Sequence, residues 1–167
     1  MSVIDVSKDL DALTMTMTAE FVAPVAKVWQ VWENPRLLER WWGPTTHPAT
    51  FVDHELEPGG RMHYFMTAPE GDTYHGWWRI VSVDPPTALE LEDGFADDEG
   101  NPNPDLPVTV MRVTLSEQPG GITRMTVDAQ YATREGMEQV IAMGVEEGMT
   151  LAVNQIDGLL AEAAATT

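Results

Sequence analysis

The run Trp41-Trp42-Gly43-Pro44 constrains the fold of this chain more than any other feature. It follows a stretch with apolar residues at helical spacing and precedes a stretch that alternates as a strand does. Because a Gly-Pro pair cannot continue a helix, the two indole rings are held at a helix-to-strand corner, where they must pack against a core or a ligand. The corner therefore predicts a fold of helices and strands around an apolar interior.

Composition and charge restrict the possible partners. The 167 residues are 43% hydrophobic, which predicts one globular domain over 1–167, with a core at about 13–163 and flexible ends at 1–12 and 164–167. With 27 acidic residues against 9 Lys and Arg, the formal net charge is −18. That field repels phosphate backbones and anionic lipid head groups, so we expect neither nucleic acid nor a membrane as a partner.

The N-terminus, the hydropathy pattern and the lack of cysteine restrict the cellular location and the chemistry of the protein. The N-terminus has neither the basic start nor the apolar run of a signal peptide, and nowhere do eighteen apolar residues follow one another. We therefore expect a cytoplasmic protein that is a monomer or a homodimer. Because the chain has no cysteine, disulfides, thiolate metal sites and thiol nucleophiles are excluded.

Hydrophobic periodicity predicts one strand, two short helices, six further strands and a long C-terminal helix. The strands are predicted at 13–22, 51–56, 62–66, 74–83, 88–95, 108–115 and 122–131, and the short helices begin at 25 and 37. Thr133 is a candidate cap for the last helix, which runs to about residue 160, and Gly144 is a candidate break within it. The acidic, proline-rich stretch 96–105 is predicted to be a mobile loop.

This order of elements is typical of an α+β fold in which helices cover one face of a curved antiparallel sheet. A long helix gripped by such a sheet leaves a cavity wherever the facing side chains do not meet. We expect that cavity to have a volume of a few hundred Å3, the usual scale of a ligand pocket.

Several short motifs, in this order, resemble the SRPBCC or START-like superfamily, and within it the family named for the activator of the heat-shock-protein-90 ATPase. The motifs are Phe21-Val22-Ala23-Pro24, Trp41-Trp42-Gly43-Pro44, Glu57-Pro58-Gly59-Gly60-Arg61, Pro69-Glu70-Gly71, Gly76-Trp77-Trp78, Asp84-Pro85-Pro86 and Gly144-Val145-Glu146-Glu147-Gly148-Met149. The resemblance covers about residues 15–160 and implies a helix-grip fold with an internal hydrophobic cavity. It does not include the additional domain that the eukaryotic activators use on their chaperone, which argues against a chaperone role.

The predicted cavity lining is rich in methionine and aromatic residues. Methionine is flexible and polarizable, so ten methionines in a chain with four phenylalanines favour a pocket that adapts to its ligand. The candidate ligand-binding residues are Trp41, Trp42, Met62, Tyr64, Met66, His75, Trp77, Met111, Met125, Met137, Ile141, Val145 and Met149, with Trp78 as the alternative to Trp77 on the same strand.

Other chemistry has little support in the sequence. The four histidines show no metal-ligand spacing, and the acidic run from Asp97 lacks the glycine position and closing glutamate of a calcium loop, so no metal and no cofactor are predicted. Nucleophile-elbow, phosphate-loop and dinucleotide motifs are missing, and no residue is assigned a catalytic role. Arginines within the strands are expected to pair with carboxylates across the sheet.

Three functions remain open. The first is binding of a small hydrophobic or amphipathic ligand in the cavity, which a wholly apolar lining would favour. The second is a cyclase-like or hydrolase-like enzyme, which a buried carboxylate or histidine facing a tyrosine inside the cavity would favour. The third is a protein-interaction module resembling the chaperone activator, which an exposed apolar groove over a sealed interior would favour.

Overall fold

A computed structural model describes residues 3–165, whose strands form one eight-stranded antiparallel sheet in the order β1-β2-β8-β7-β6-β5-β4-β3. The strands are β1 (Val3–Asp9), β2 (Thr14–Phe21), β3 (Ala49–Phe51), β4 (Arg61–Thr67), β5 (Thr73–Asp84), β6 (Ala88–Phe95), β7 (Thr109–Gln118) and β8 (Ile122–Tyr131). The helices are α1 (Val25–Glu33), α2 (Pro35–Trp41), α3 (Arg134–Ala142), α4 (Val145–Asn154) and α5 (Ile156–Ala165). The expected α+β helix-grip architecture is confirmed, with two short helices after β2 and a long helical segment at the C-terminus.

The two short helices are separated by a residue that ends one and caps the next. Asn34 has an extended backbone, and its side-chain oxygen accepts a hydrogen bond from the Arg36 backbone N–H at 2.9 Å. Pro35 then occupies the first turn of α2, where its missing N–H costs nothing. The chain can therefore turn between α1 and α2 and place both against the sheet.

The C-terminal segment bends at Gly144, the residue that the sequence marks as a possible break. Thr133 caps α3 as expected, accepting a hydrogen bond from the Gly136 N–H at 2.9 Å. Gly144 has φ +86°, a left-handed conformation that favours glycine, and it separates α3 from α4. α4 and α5 are joined through Gln155, whose φ of −75° and ψ of −17° keep the helical hand. The candidate break at Gly144 is thus confirmed, with a short helix before it and a longer helical segment after it.

The predicted flexible N-terminus is wrong for residues 3–9, because β1 pairs with β2 along the sheet edge. A turn joins the two strands, in which the Asp9 carboxylate accepts hydrogen bonds from the N–H groups of Asp11 and Ala12, both at 3.0 Å. Most β1 side chains are exposed, so the strand lacks the alternation that marks a buried one. At the other end, 164–165 belong to α5 and 166–167 lie outside the described residues.

Two further predictions need correction. The strand expected at 51–56 is only Ala49–Phe51. The Val52 N–H still donates to the His63 carbonyl at 2.8 Å, but the His63 N–H donates to the Asp53 carboxylate at 2.7 Å and not to the facing strand, so the backbone ladder ends there. The acidic stretch expected to be mobile is closed as a turn. A bridge joins Ala96 to Pro102, and the Asp97 carboxylate accepts the N–H groups of Glu99 and Asn101, both at 2.9 Å.

Three of the four strand arginines pair with carboxylates across the outer face of the sheet, as expected, whereas Arg61 lies opposite Arg79 and has no ion pair among the described residues. Arg79 contacts Glu92 at 2.6 Å, Arg112 contacts Glu90 at 2.7 Å and Arg124 contacts Glu20 at 2.9 Å, each pair joining directly opposed residues. These cations therefore stand away from the face that the helices cover. No helix among the described residues is long and apolar enough to cross a membrane.

Candidate functional site

A cavity of about 340 Å3 lies between the inner face of the sheet and the α3–α4 region. Its wall is mostly apolar. Six methionines line it, Met15, Met17, Met66, Met111, Met143 and Met149, together with the rings of Trp42, Tyr64, Phe95 and Tyr131. Met143, at the α3–α4 junction, is 53% exposed, so the lining reaches the protein surface there.

Of the two tryptophans in the Trp41-Trp42-Gly43-Pro44 motif, the first lies in the core and the second lines the cavity. Trp41 is fully buried, and its indole N–H donates to the Val31 carbonyl at 2.8 Å. Trp42 packs edge-on against Trp78, with ring centroids 4.7 Å apart, and also lines the cavity. The helix-to-strand corner thus places one ring in the core and the next ring in the cavity wall.

One carboxylate, Asp93, projects into this wall from β6. Leu89 and Leu91 precede it on the same face of the strand and are buried in the core. With its period of two, the strand places Asp93 inward as well, where it lies opposite Trp78 on β5 and Thr109 on β7. Asp93 lines the cavity and is partly buried.

Tyr64 reaches Asp93 from β4, two strands away. Its hydroxyl donates to Asp93 Oδ1 at 2.8 Å. The reach depends on Gly76, which faces Tyr64 on β5: a Cβ at this position would stand 2.3 Å from the Tyr64 ring. Glycine therefore leaves the space through which the phenol ring crosses the intervening strand.

Burial raises the pKa of Asp93 to about 7, and the hydrogen bond from Tyr64 opposes the rise. Burial also raises the pKa of Tyr64 well above its ordinary value, with the negative charge of Asp93 acting in the same direction. The two groups form a hydrogen-bonded pair in which the carboxylate can gain or lose a proton near neutral pH.

Two indole N–H groups beside this pair have no hydrogen-bond partner of good geometry among the described residues: those of Trp42 and Trp78. Trp78 nevertheless stands close enough to Asp93 to favour its ionised form, and Trp42 has the same effect on Tyr64. Both indoles therefore stabilise negative charge at this end of the cavity.

Tyr131, on β8, is a further polar side chain in the cavity wall. It lies opposite Thr109, which in turn lies opposite Asp93. Burial raises the pKa of the Tyr131 hydroxyl, and the negative charge of Asp93 adds to the rise. The cavity is thus apolar over most of its wall, with one carboxylate between two tyrosines.

Six of the thirteen predicted ligand-binding residues line this cavity: Trp42, Tyr64, Met66, Met111, Val145 and Met149. They come from four separate parts of the chain, and the sheet and helices bring them together. The other seven residues do not line this cavity, and they fall into two groups.

Five of the seven pack in the hydrophobic core, where four are buried and Ile141 is partly buried. Trp41 and Met62 belong to the main core, and Met125 accepts the Trp32 indole N–H through its sulfur at 3.4 Å. Met137 and Ile141 pack in a second cluster with Met15, Ala129, Tyr131 and Val140.

The remaining two are on the outer face of the sheet. Trp77 covers Gly94, where a Cβ would lie 2.5 Å from its indole ring. His75 contacts His63, with 2.7 Å between Nδ1 of His75 and Nε2 of His63. Among the residues that the structure describes, no group of three or more His, Cys, Asp or Glu side chains is placed to hold a metal ion.

Sequence reasoning missed the two groups that give the site its polarity, Asp93 and Tyr131, although the pattern contains them. Asp93 stands two residues after Leu91, and Tyr131 stands two residues after Ala129, each in register with the buried face of its strand. An acidic residue at an inward position of a central strand could have been singled out by alternation alone.

Comparison with known proteins identifies relatives along nearly the whole chain. The family model of activator of Hsp90 ATPase homolog 1-like protein matches residues 22–161. A crystal structure of protein Ms6760 from Mycobacterium smegmatis is 54% identical, covers 95% of this chain and 96% of its own, and has a TM-score of 0.87. A comparison with curated proteins finds no significant match.

Two solution structures are also similar. A protein from Arthrobacter aurescens is 46% identical over 96% of this chain and 93% of its own, with a TM-score of 0.91. A protein from Staphylococcus epidermidis is 28% identical over 96% of this chain and 95% of its own, with a TM-score of 0.82. The architecture described above is therefore shared with experimentally determined structures.

Proposed function

The chain belongs to the family of activator of Hsp90 ATPase homolog 1-like proteins, and from its cavity we propose that it binds a small hydrophobic or amphipathic molecule between sheet and helices. The observation that carries this proposal is the volume of about 340 Å3 with a largely methionine and aromatic wall. Ligand pockets in proteins have volumes from about 300 Å3 upward and are mainly apolar with a few polar groups.

The wall also suits a ligand of variable shape. A cavity bounded by six unbranched thioether side chains can change its outline by rotamer changes at small cost. The opening near Met143 supports exchange of ligand with solvent and supports ligand binding over the protein-interaction module, for which we expected a sealed interior.

A neutral fluorescent probe tests the proposal. N-phenyl-1-naphthylamine should brighten on binding to the wild-type protein, and Met149→Trp should abolish this because the larger ring fills the cavity. Leu151→Trp is the matched control, since Leu151 lies on the same helix and is 59% exposed. Circular dichroism should be nearly unchanged in both variants.

Two results would contradict the proposal. The first is a folded wild-type protein that leaves the probe dark. The second is equal brightening with the Met149 and Leu151 variants, since it places the probe elsewhere on the surface. Native mass spectrometry of the purified protein adds a direct readout, because a co-purified ligand appears as a mass increment that Met149→Trp removes.

A second function, an acid-base enzyme, is favoured by one specific observation. The Asp93 carboxylate faces a tyrosine inside the cavity at 2.8 Å, which is the arrangement expected of such an enzyme. A suitable probe is 5-nitrobenzisoxazole, whose ring C–H proton passes to a carboxylate as the N–O bond breaks to release a cyanophenolate. We expect turnover that rises with pH around 7 and is lost in Asp93→Asn, whereas equal rates in both proteins would contradict this function.

A further inference from the structure

We propose that the ligand of this cavity is a hydrophobic amine, whose protonated nitrogen binds the carboxylate of Asp93 while its apolar body lies among the methionine and aromatic side chains. The inference rests on the proposed function, because it names the ligand class of the same site. Four features of the described residues support it.

The first feature is an uncompensated charge. Asp93 is the one carboxylate among the described residues that line the cavity, and none of those residues is lysine or arginine. The arginines of β5, β7 and β8 are held on the outer face of the sheet by Glu92, Glu90 and Glu20. A carboxylate that leaves water without a cationic partner is costly to bury, and a cationic ligand would remove that cost.

The second feature is the direction of the available hydrogen bonds. Oδ1 of Asp93 accepts from Tyr64, and its other oxygen accepts no hydrogen bond of good geometry from the described residues. An ionised carboxylate has only acceptors, and a protonated amine has only donors. Hydrogen bonds between two charged groups are also shorter and stronger than those between neutral groups.

The third feature is the aromatic part of the cavity wall. Trp42, Tyr64, Phe95 and Tyr131 all contribute rings to the same wall. The faces of such rings attract cations, most strongly where water is excluded. The polarizable sulfur atoms of the methionines accept the apolar part of the ligand.

The fourth feature is the field of the whole protein. A net charge of −18 concentrates cations near the surface and repels anions. A fatty acid or another carboxylate ligand would enter against this field and meet Asp93, with no lysine or arginine in the lining to hold it. Amphipathic cations are therefore the favoured class.

Three ligands of matched shape test the proposal by isothermal titration calorimetry at pH 7.5: 2-naphthylmethylamine, 2-naphthalenemethanol and 2-naphthoate. We expect the amine to bind at least about tenfold more tightly than the alcohol, which is the scale of a charge-assisted hydrogen bond, and the carboxylate not to bind. The preference should persist in 0.3 M NaCl, because that salt screens the surface field more than the contact inside the cavity.

Variants assign the preference to one residue. Asp93→Asn should bind the amine no more tightly than the alcohol, while Asp5→Asn removes the same formal charge from an exposed position of β1 and should keep the wild-type preference. If Asp93→Asn does not fold, Tyr64→Phe replaces it. Loss of the Tyr64 hydrogen bond raises the pKa of Asp93 further, so this variant should lose amine affinity at pH 7 and regain it at pH 8.5.

The titratable groups around Asp93 are Tyr64 from β4, Tyr131 from β8 and His47 from the segment between α2 and β3; the α3 and α4 side chains in the lining do not titrate. Amine affinity should rise between pH 5.5 and 8, and alcohol affinity should stay flat. His47→Gln should keep this dependence, because the proposal assigns it to Asp93.

The outcomes separate the two proposals. Failure of the neutral probe and of all three naphthalene compounds contradicts the proposed function. Tight binding of the alcohol or the carboxylate, with the amine equal or weaker, leaves that function standing and overturns the amine inference. An amine preference that survives in Asp93→Asn also overturns it.

Discussion

Replacing Asp93 with asparagine should make this protein more stable at neutral pH and less sensitive to pH. Asparagine keeps an oxygen that can accept the Tyr64 hydrogen bond, but it carries no charge to be buried. The variant therefore removes the ionisation of Asp93 while its size and shape stay nearly the same.

The sign and magnitude of this pH dependence follow from the pKa of Asp93. Burial raises the pKa of Asp93 from 3.8 to about 7. Between pH 3.8 and 7, Asp93 is protonated in the folded protein and ionised in the unfolded chain. The contribution of Asp93 to stability is therefore complete below pH 3.8 and is lost as the pH rises through 7. At 1.36 kcal/mol per pKa unit the loss is about 4 kcal/mol, of which about 3 kcal/mol falls between pH 5 and 8.

Urea unfolding followed by tryptophan fluorescence at pH 5, 6, 7 and 8 and constant ionic strength measures this effect. The free energy of unfolding of Asp93→Asn minus that of the wild type should increase by about 3 kcal/mol over this range. Asp5→Asn serves as the control and should show a constant difference, because Asp5 is exposed. If the Asp93 difference also stays constant to within about 0.5 kcal/mol, the carboxylate ionises as it does in water, and the reasoning from burial is refuted.

Three further perturbations test other parts of the structure. Gly76→Ala should lower the free energy of unfolding by about 1–3 kcal/mol in a urea titration, because the added Cβ would meet the Tyr64 ring. The control Gly158→Ala should not destabilise the protein, because a Cβ at Gly158 would have no atom within 4 Å. Equal effects of the two substitutions would contradict the contact with Tyr64. Gly144→Ala should lower the free energy of unfolding by about 1–2 kcal/mol, because alanine rarely adopts the φ of +86° found at this position, and Gly144→Asn should lower it less. Equal free energies of unfolding for the two variants would count against strain at this bend. Thermal melts should show Tm rising from 0.01 M to 0.15 M NaCl as the Debye length falls from ~30 Å to ~8 Å, and a flat or falling Tm would mean that the acidic side chains are already neutralised locally.

The order of elements and the architecture could be predicted from the sequence, because local patterns carry that information. Strands of period two, the Asn34-Pro35 interruption and the Thr133 cap all act within a few residues of where they stand. The same patterns missed β1, whose position depends on backbone pairing at a sheet edge and not on burial of its side chains.

The site depended on tertiary structure. The alternation of β6 indicates that Asp93 faces inward, but β5 carries aromatic rings on both faces. Only the packed sheet decides that Trp78 faces the helices while Trp77 and His75 face outward. The contact between Tyr64 and Asp93 spans 29 positions in sequence and exists because two strands pair on either side of β5 and Gly76 leaves room between them.

The sequence by itself determined the family, the α+β fold, the acidic surface and the supply of methionine and aromatic side chains for a cavity. Tertiary structure alone decided which of those side chains fill the core, which border empty space, and which groups contact the partly buried carboxylate of Asp93. The physical reason is that composition and periodicity act locally, whereas a cavity and a shifted pKa are properties of atoms brought together from distant parts of the chain.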